Sequence, residues 1–307
     1  MAITLQESLR GLFYAPFYVA LARDAYAQEG VEIRFVSSPT PGDAGRNVMA
    51  GVVDVSWGGP MRVVETYQES PGCDLVCFAE VVTRDPFLLL GRERRPRFAL
   101  RDLLDCRIAT VSEVPTPWLC LQHDLRLAGL DPAALDRVAD RSMADNAEAL
   151  RRGEVDVVQV FEPYAAGLEA DGAGHVWYAQ ASRGPTSYTT FYARRGLLAE
   201  RREELHRMVR ALHRTQKWIA GATPAAIAEA ITQFFPDVPD ALLTAACARY
   251  QRLGIWGKDP HLPRGGYDRL LAGLVSGGLV SPGTPYEVAV DNSIADAVTA
   301  ENPPALQ

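Results

Sequence analysis

Between residues 8 and 60 the hydrophobic and polar positions change period several times, which predicts strand, turn, helix, strand, loop, helix and strand in succession. Pro16 stands at the expected first helical position, where its fixed φ fits and its missing amide hydrogen is no loss. Phe17, Tyr18, Leu21, Ala22 and Ala25 then share one helical face, with Arg23, Gln28 and Glu29 elsewhere. Gly30 is suited to a left-handed helix stop. Val31, Ile33 and Phe35 alternate with Glu32 and Arg34, the signature of a half-buried strand. A short helix over 42–50 and a more buried strand over 52–57 follow. Gly58 and Gly59 permit a close backbone approach, and Pro60 opens the next helix. Strand ends that lead into helix starts put unsatisfied amide hydrogens at one edge, so a ligand site is expected there.

The same reading continues along the chain. Helices are expected over 61–70 and 99–105, and from the turn at 112–118 to about 128. Strands are expected over 75–82, 87–91 and 107–111. Ser142 and Asp145 form a capping box for a helix that ends at Gly153. A strand over 154–160, a turn at 161–163, a helix to 170, and strands at 175–179 and 187–195 come next. From 197 onward the pattern is mostly helical, and the last ten or so residues are expected to fray.

An internal echo divides the chain. Gly51 leads into VVDVSWGGP and Gly153 into EVDVVQVFEP, each with an aspartate three residues after the glycine, then an aromatic residue, then proline. Alternating strands and helices predict parallel sheets in both units, with ligands at the carboxyl ends of the strands. Crossings between lobes are expected near 85–95 and 182–188. Lobe one then comprises 1–88 and the mostly helical 186–296, lobe two 89–185, and the tail 297–307.

Candidate ligand contacts follow from the turns. Phe13, Tyr14, Trp57, Trp118 and Phe161 lie at or beside strand ends, with Tyr188 near the second crossing. Their flat faces suit a ring or planar group, and tryptophan also receives cations. Ser112, Thr116 and the backbone of Gly58 and Gly59 are donors at helix starts, suited to a sulfonate or carboxylate. The ordinary alternative for Ser112 and Thr116 is helix capping. Glu162 and Glu113 are candidate acceptors for an amine or a pyrimidine amino group, with a solvated surface carboxylate the ordinary reading of Glu113. Asp54 and Asp156 are assigned to the strand-end backbone.

Composition narrows the field. With 307 residues and 48% hydrophobic content, the chain can bury a large core. A net charge of −7, with only two lysines among 31 basic residues, argues against a nucleic-acid partner. The basic run at 92–97 reads as a solvated connector. No stretch reaches the ~18–20 apolar residues of a membrane span. No basic-then-apolar leader precedes the first strand, which predicts a cytoplasmic chain as written, or a periplasmic one should Met1 replace a signal segment. The five histidines are scattered, none with metal-ligand spacing, and no phosphate-binding, dinucleotide or nucleophile-elbow motif is present. Neither a cofactor, a metal nor a catalytic residue is therefore expected.

The run FYAPFYVALARDAYAQEGVEIRFV, with AGVVDVSWGGP after it, resembles the opening of the SsuA/THI5-like (NMT1-like) family. The resemblance extends to about residue 250. It implies an α/β, two-lobed periplasmic-binding-protein-like (type II) fold, with parallel-rich sheets flanked by helices and a ligand cleft between the lobes. It also implies a solute-binding protein that serves an ABC permease, with a small planar or anionic organic ligand (sulfonate-, carboxylate- or pyrimidine-like). The alternative is a cytoplasmic enzyme on this scaffold. The family's thiamine-pyrimidine synthases carry a cysteine-rich CCCFC-type motif that is absent here. Its desulfinases use a cleft cysteine, and the first aromatic turn here offers none.

The five cysteines (73, 77, 106, 120, 247) read as small buried hydrophobes. Denatured protein should therefore titrate five thiols without reductant. Three would reveal a disulfide and an exported chain.

Overall fold

Alternating strands and helices form as the periodicity requires, but the chain's two passages between lobes set the direction of each strand. The computed structural model describes residues 2–70 and 72–307; Met1 and Pro71 lie outside the described residues. β1 (Ile3–Glu7) leads through a 3-10 turn at Leu12–Tyr14 to α1 (Ala15–Ala22), α2 (Ala25–Gln28) and β2 (Ile33–Ser37). α3 (Ala44–Met49), β3 (Val55–Gly58), α4 (Met61–Glu69) and β4 (Leu75–Val82) complete the first pass. The second lobe runs β5 (Leu88–Gly91), β6 (Arg107–Ala109), α5 (Thr116–Leu127), β7 (Asp136–Val138), α6 (Met143–Arg152), β8 (Val157–Val160), α7 (Tyr164–Ala170) and β9 (His175–Ala179). β10 (Thr189–Arg194) returns to the first sheet. The helices α8 (Arg195–Glu200), α9 (Arg202–Gly221), α10 (Pro224–Ile231), α11 (Asp240–Leu253), α12 (Arg264–Ser276), α13 (Tyr286–Ala289) and α14 (Ser293–Glu301) follow it. No helix among the described residues is long and apolar enough to cross a membrane.

Among the described residues the strands form two five-stranded sheets, ordered β2-β1-β3-β10-β4 and β7-β6-β8-β5-β9. The order is the same in both, so the sequence echo is a topological repeat. Neither sheet is purely parallel, contrary to the expectation. β10 runs antiparallel to β3 and β4, and β5 runs antiparallel to β8 and β9. The reason is connectivity. β4 and β9 end at the cleft, so the next strand enters the opposite sheet from the cleft side and runs against its neighbours.

The echoed aspartates act alike. Asp54 Oδ2 accepts the Thr4 amide at 2.7 Å, and Asp156 Oδ2 accepts the Arg107 amide at 2.8 Å. Each ties the approach to one strand to the start of its neighbour. These approaches are loops, so the predicted strands at 52–57 and 154–160 begin only at Val55 and Val157. The helix expected from Pro16 to Gly30 is broken at Asp24, whose φ of 52° is left-handed. The stretch 99–105 forms a 3-10 helix over Leu100–Asp105.

The tail does not fray. Lys217 Nζ donates to Asn302 Oδ1 and the Pro303 carbonyl, each at 2.6 Å, and Leu306 is buried while its amide bonds the Arg214 carbonyl. A proline-rich strap carries no period, so its docking on α9 left no sequence pattern.

The crossings are fastened to the second lobe by buried charge. The Arg183 guanidinium pairs with Asp85, on the first crossing, and with Asp124 of α5. Gln180 and the Phe87 amide complete the Asp85 carboxylate, each at 2.9 Å. All five cysteines are free and buried.

Glu80 lies in β4 opposite Thr190 and is 2% exposed. Burial pushes its carboxyl up to about 8, with Ser187 pulling back and Asp259 adding to the rise. An unfolded glutamate ionises near about 4.3, so between these values the native state holds the extra proton. The contribution to stability is therefore full at low pH and is lost as pH rises through the folded value, at up to about 1.4 kcal/mol per unit. Urea unfolding between pH 5 and pH 8 should show Glu80→Gln losing less stability than wild type. Parallel pH profiles would refute this.

Candidate ligand site in the cleft

Three helix starts converge where the strands end. β1 reaches α1 through residues 8–14, β3 reaches α4 through Gly59 and Pro60, and β6 reaches α5 through residues 110–115. Each start carries the positive end of a helix dipole, although the Ala15 amide of α1 already bonds the Leu12 carbonyl and the Arg62 amide of α4 the Gly59 carbonyl. Between them lies an inner chamber of about 40 Å³ whose polar lining is Ser8, Tyr14, Arg62, Thr116 and Tyr188. Gly59 lets the backbone come close, since a Cβ there would sit 3.3 Å from the Tyr188 carbonyl oxygen.

The chamber is rich in donors. Ser8 Oγ lies 3.4 Å from the Tyr14 hydroxyl. Burial pushes the Tyr14 phenol up to about 12 and holds the Tyr188 phenol well above its ordinary value, so both keep their protons. The Tyr188 hydroxyl is buried without a hydrogen-bond partner among the described residues. An unmade buried bond costs about 1–3 kcal/mol, which an oxygen entering the chamber would relieve. Arg62 gives Nη1 to Glu65 Oε2 at 3.0 Å, the one hydrogen bond of its guanidinium among the described residues.

Leu9 and Val114 also line a second, outer chamber of about 400 Å³. Leu12, Met143, Phe161, Tyr164, Phe235 and Val238 make most of its wall, with Arg10 and Glu113 the charged members. Phe13 meets Phe161 edge-on at 5.2 Å and Tyr188 at 6.3 Å, and Phe87 meets Phe161 at 5.3 Å. These aromatics form one wall that spans both lobes.

Of the residues expected at the site, the structure gathers Phe13, Tyr14, Gly59, Thr116, Phe161 and Tyr188 around the two chambers. Five others lie elsewhere. Trp57 is fully buried in the first lobe, stacked between Phe17 at 4.5 Å and Phe35 at 5.4 Å. Gly58 is a buried strand end packed against Ser8 and Tyr192. Ser112 is exposed, and its amide bonds Glu113. Trp118 follows Thr116 by two residues, roughly 200° around the helix, and so faces away, beneath the Arg137 guanidinium at 4.1 Å. Glu162 is fully buried, accepting the Ala166 amide at 2.9 Å and pairing with Arg249 of α11 at 2.8 Å. Burial pushes its carboxyl up and Arg249 pulls it part of the way back. It serves as a brace between the second lobe and the C-terminal helices.

Sequence reasoning missed Arg62 and Met143, although each sits beside a helix start it had identified. Phe235 and Val238 arrive from distant helical connections and had no local signal. Neither histidine nor cysteine lines the chambers, and no group of His, Cys, Asp or Glu side chains among the described residues could hold a metal.

The family model described as NMT1/THI5 like matches residues 13–226. A Bacillus subtilis (strain 168) protein named "Putative binding protein YtlA" is 24% identical over 302 residues, covering 97% of this chain and 90% of its own. The fold matches SsuA of Methylobacillus flagellatus KT, a sulfonate-binding protein by its description, with a TM-score of 0.77, 14% identity and coverage of 100% and 98% of the two chains. It also matches the aliphatic sulphonate binding protein SsuA of Escherichia coli, with a TM-score of 0.75, 16% identity and coverage of 92% and 94%.

Because Trp57 packs in the core, Trp57→Ala should cost about 3–5 kcal/mol in chemical denaturation, the range for truncating a buried aromatic. A loss below about 1 kcal/mol would return Trp57 to the cleft.

Proposed function

The chain belongs to the NMT1/THI5-like family, and from that premise we propose that it is a solute-binding protein that captures a small organic anion between its lobes. The carrying observation is the pairing of a donor-lined inner chamber with an apolar outer one. An acidic oxygen group, sulfonate or carboxylate, enters the inner chamber. It meets Arg62, the Tyr14 and Tyr188 hydroxyls and the helix starts at α4 and α5. A planar or apolar body then lies against Phe13, Phe161 and Tyr164. Capture proceeds by hinge closure about the crossings, with lobes at 1–88 plus 186–296 and at 89–185, the 297–307 tail belonging with α9. The closed form is presented to an ABC permease, the setting of the sulfonate-binding relative.

The enzyme alternative has no support from the site. No thiol or imidazole lines either chamber, and burial pushes the Cys120 thiol up to about 12. A thiol so placed is a poor nucleophile at neutral pH.

Calorimetric titration with 4-methylbenzenesulfonate tests the proposal. We expect saturable binding without turnover, weakened about ten-fold or more by Arg62→Gln, which is about 1.4 kcal/mol. Native mass spectrometry of freshly purified protein should show a bound organic acid. Absence of binding, or affinity indifferent to Arg62, would overturn the anion reading.

A further inference from the structure

The charges on the two chambers are unequal in how far they are already satisfied. Arg10, at the outer chamber, is spent. Its Nε lies 3.1 and 3.0 Å from the two Glu7 oxygens, Nη2 is 2.5 Å from Oε1, and Nη1 donates to the Phe234 carbonyl at 3.0 Å. The guanidinium also covers the Tyr18 and Phe234 rings. Glu7 is itself nearly fully buried and takes further bonds from Tyr18 at 2.8 Å and Ser37 at 2.6 Å. Arg10 and Glu7 thus form a neutral, fixed pair at the cleft wall.

Glu113 differs. It follows β6 in the second lobe and lines the same chamber. Oε1 accepts the Met143 amide at 2.8 Å and Oε2 the Ser112 amide at 3.2 Å. These bonds hold the carboxylate in place but bring no positive charge, and it forms no salt bridge among the described residues. A carboxylate offers about four acceptor positions, so capacity remains for a ligand donor. Its field reaches the wall: the half-buried Tyr164 phenol is pushed up first by burial and then by Glu113. The outer chamber therefore holds one uncompensated negative charge, and the inner chamber offers several hydroxyls and Arg62, whose Nη1 alone is paired, with Glu65 at 3.0 Å. Val114 lines both chambers and Thr116 the inner one, so the turn after β6 runs from the carboxylate to the donors.

Resting on the organic-anion reading above, we propose that Glu113 receives an ammonium group at the far end of the solute, so that the solute is a zwitterion. Its acidic group enters the inner chamber, its apolar or aromatic middle lies against Phe161 and Leu12, and its ammonium meets Glu113. Glu113 is exposed at the mouth of the chamber, so the pair is screened by salt and the preference is read at low ionic strength.

Two probes of similar size test this: 4-(aminomethyl)benzenesulfonate, which carries the ammonium, and 4-methylbenzenesulfonate, which lacks it. By calorimetry at low salt, wild type should bind the amino compound at least ten-fold more tightly. Glu113→Gln keeps an acceptor for the Met143 amide and should bring that ratio within about three-fold, with its melting temperature confirming the fold. If both probes bind wild type with equal affinity, the Glu113 proposal fails while the organic-anion reading stands, whether or not the variant folds. A ten-fold preference that survives in a folded Glu113→Gln also defeats it. If neither probe binds, the organic-anion reading itself has failed, and this proposal with it.

Discussion

A chain that builds two facing sheets and crosses between them twice must enter each sheet once from the cleft side, and much of the cleft's chemistry depends on that constraint. The entering strands, β5 and β10, sit inside their sheets and not at the edges. Their approaches begin on the cleft floor, which is why Phe87 and Tyr188, the residues just before them, line the inner chamber. The crossings also gather charge. Asp85 and Arg183 come from different crossings and meet beside Asp124, where a carboxylate removed from water needs several partners. This cluster fixes the crossings to the second lobe. The opposite side of the hinge is held by α11, whose Tyr250 hydroxyl accepts the Glu162 amide at 2.8 Å and whose Arg249 pairs with the Glu162 carboxylate.

The division of labour within the cleft follows from where helices begin. Helix starts supply donors at no entropic cost, because the helix already fixes them. Hydroxyls then need only be placed nearby, and burial keeps the phenols of Tyr14 and Tyr188 protonated. The apolar residues of the outer chamber come from several separate segments, among them the 9–12 turn, the start of α6 and the loop after α10. Such a wall has no single sequence signature. Its makers are ordinary apolar residues whose neighbours happen to be core.

Periodicity revealed most elements of the fold because helices and strands bury their faces at different intervals. β4 matches its expected range, and α6 lies between its capping serine and the left-handed Gly153. What stayed hidden was relational. Strand direction depends on which sheet the chain enters, so the antiparallel β5 and β10 left no local trace. The docked tail depends on Lys217 and Arg214, far away in sequence. Residues at helix starts were legible as a class, but their facing was not: Thr116 reaches the inner chamber and Trp118, two residues on, cannot.

Trp57 and Phe161, the aromatic residues of the two echoed segments, do not occupy equivalent positions. Counted from the paired aspartates, Trp57 is the third residue after Asp54, whereas Phe161 is the fifth after Asp156. Strand pairing fixes the true correspondence: Leu5 faces Val55 in one sheet and Ile108 faces Val157 in the other. The partner of Trp57 is therefore Gln159, also fully buried within its lobe, bonded to the Pro117 carbonyl and to Gln180. The partner of Phe161 is Gly59, and both line the cleft. The repeat thus preserves which positions face inward and which face the cleft, while the side chains diverge. On the first lobe a glycine admits the backbone and its helix start. On the second a phenylalanine supplies the apolar wall. The first lobe supplies most of the polar lining of the inner chamber, with Thr116 added from the second, while both lobes build the apolar wall of the outer one.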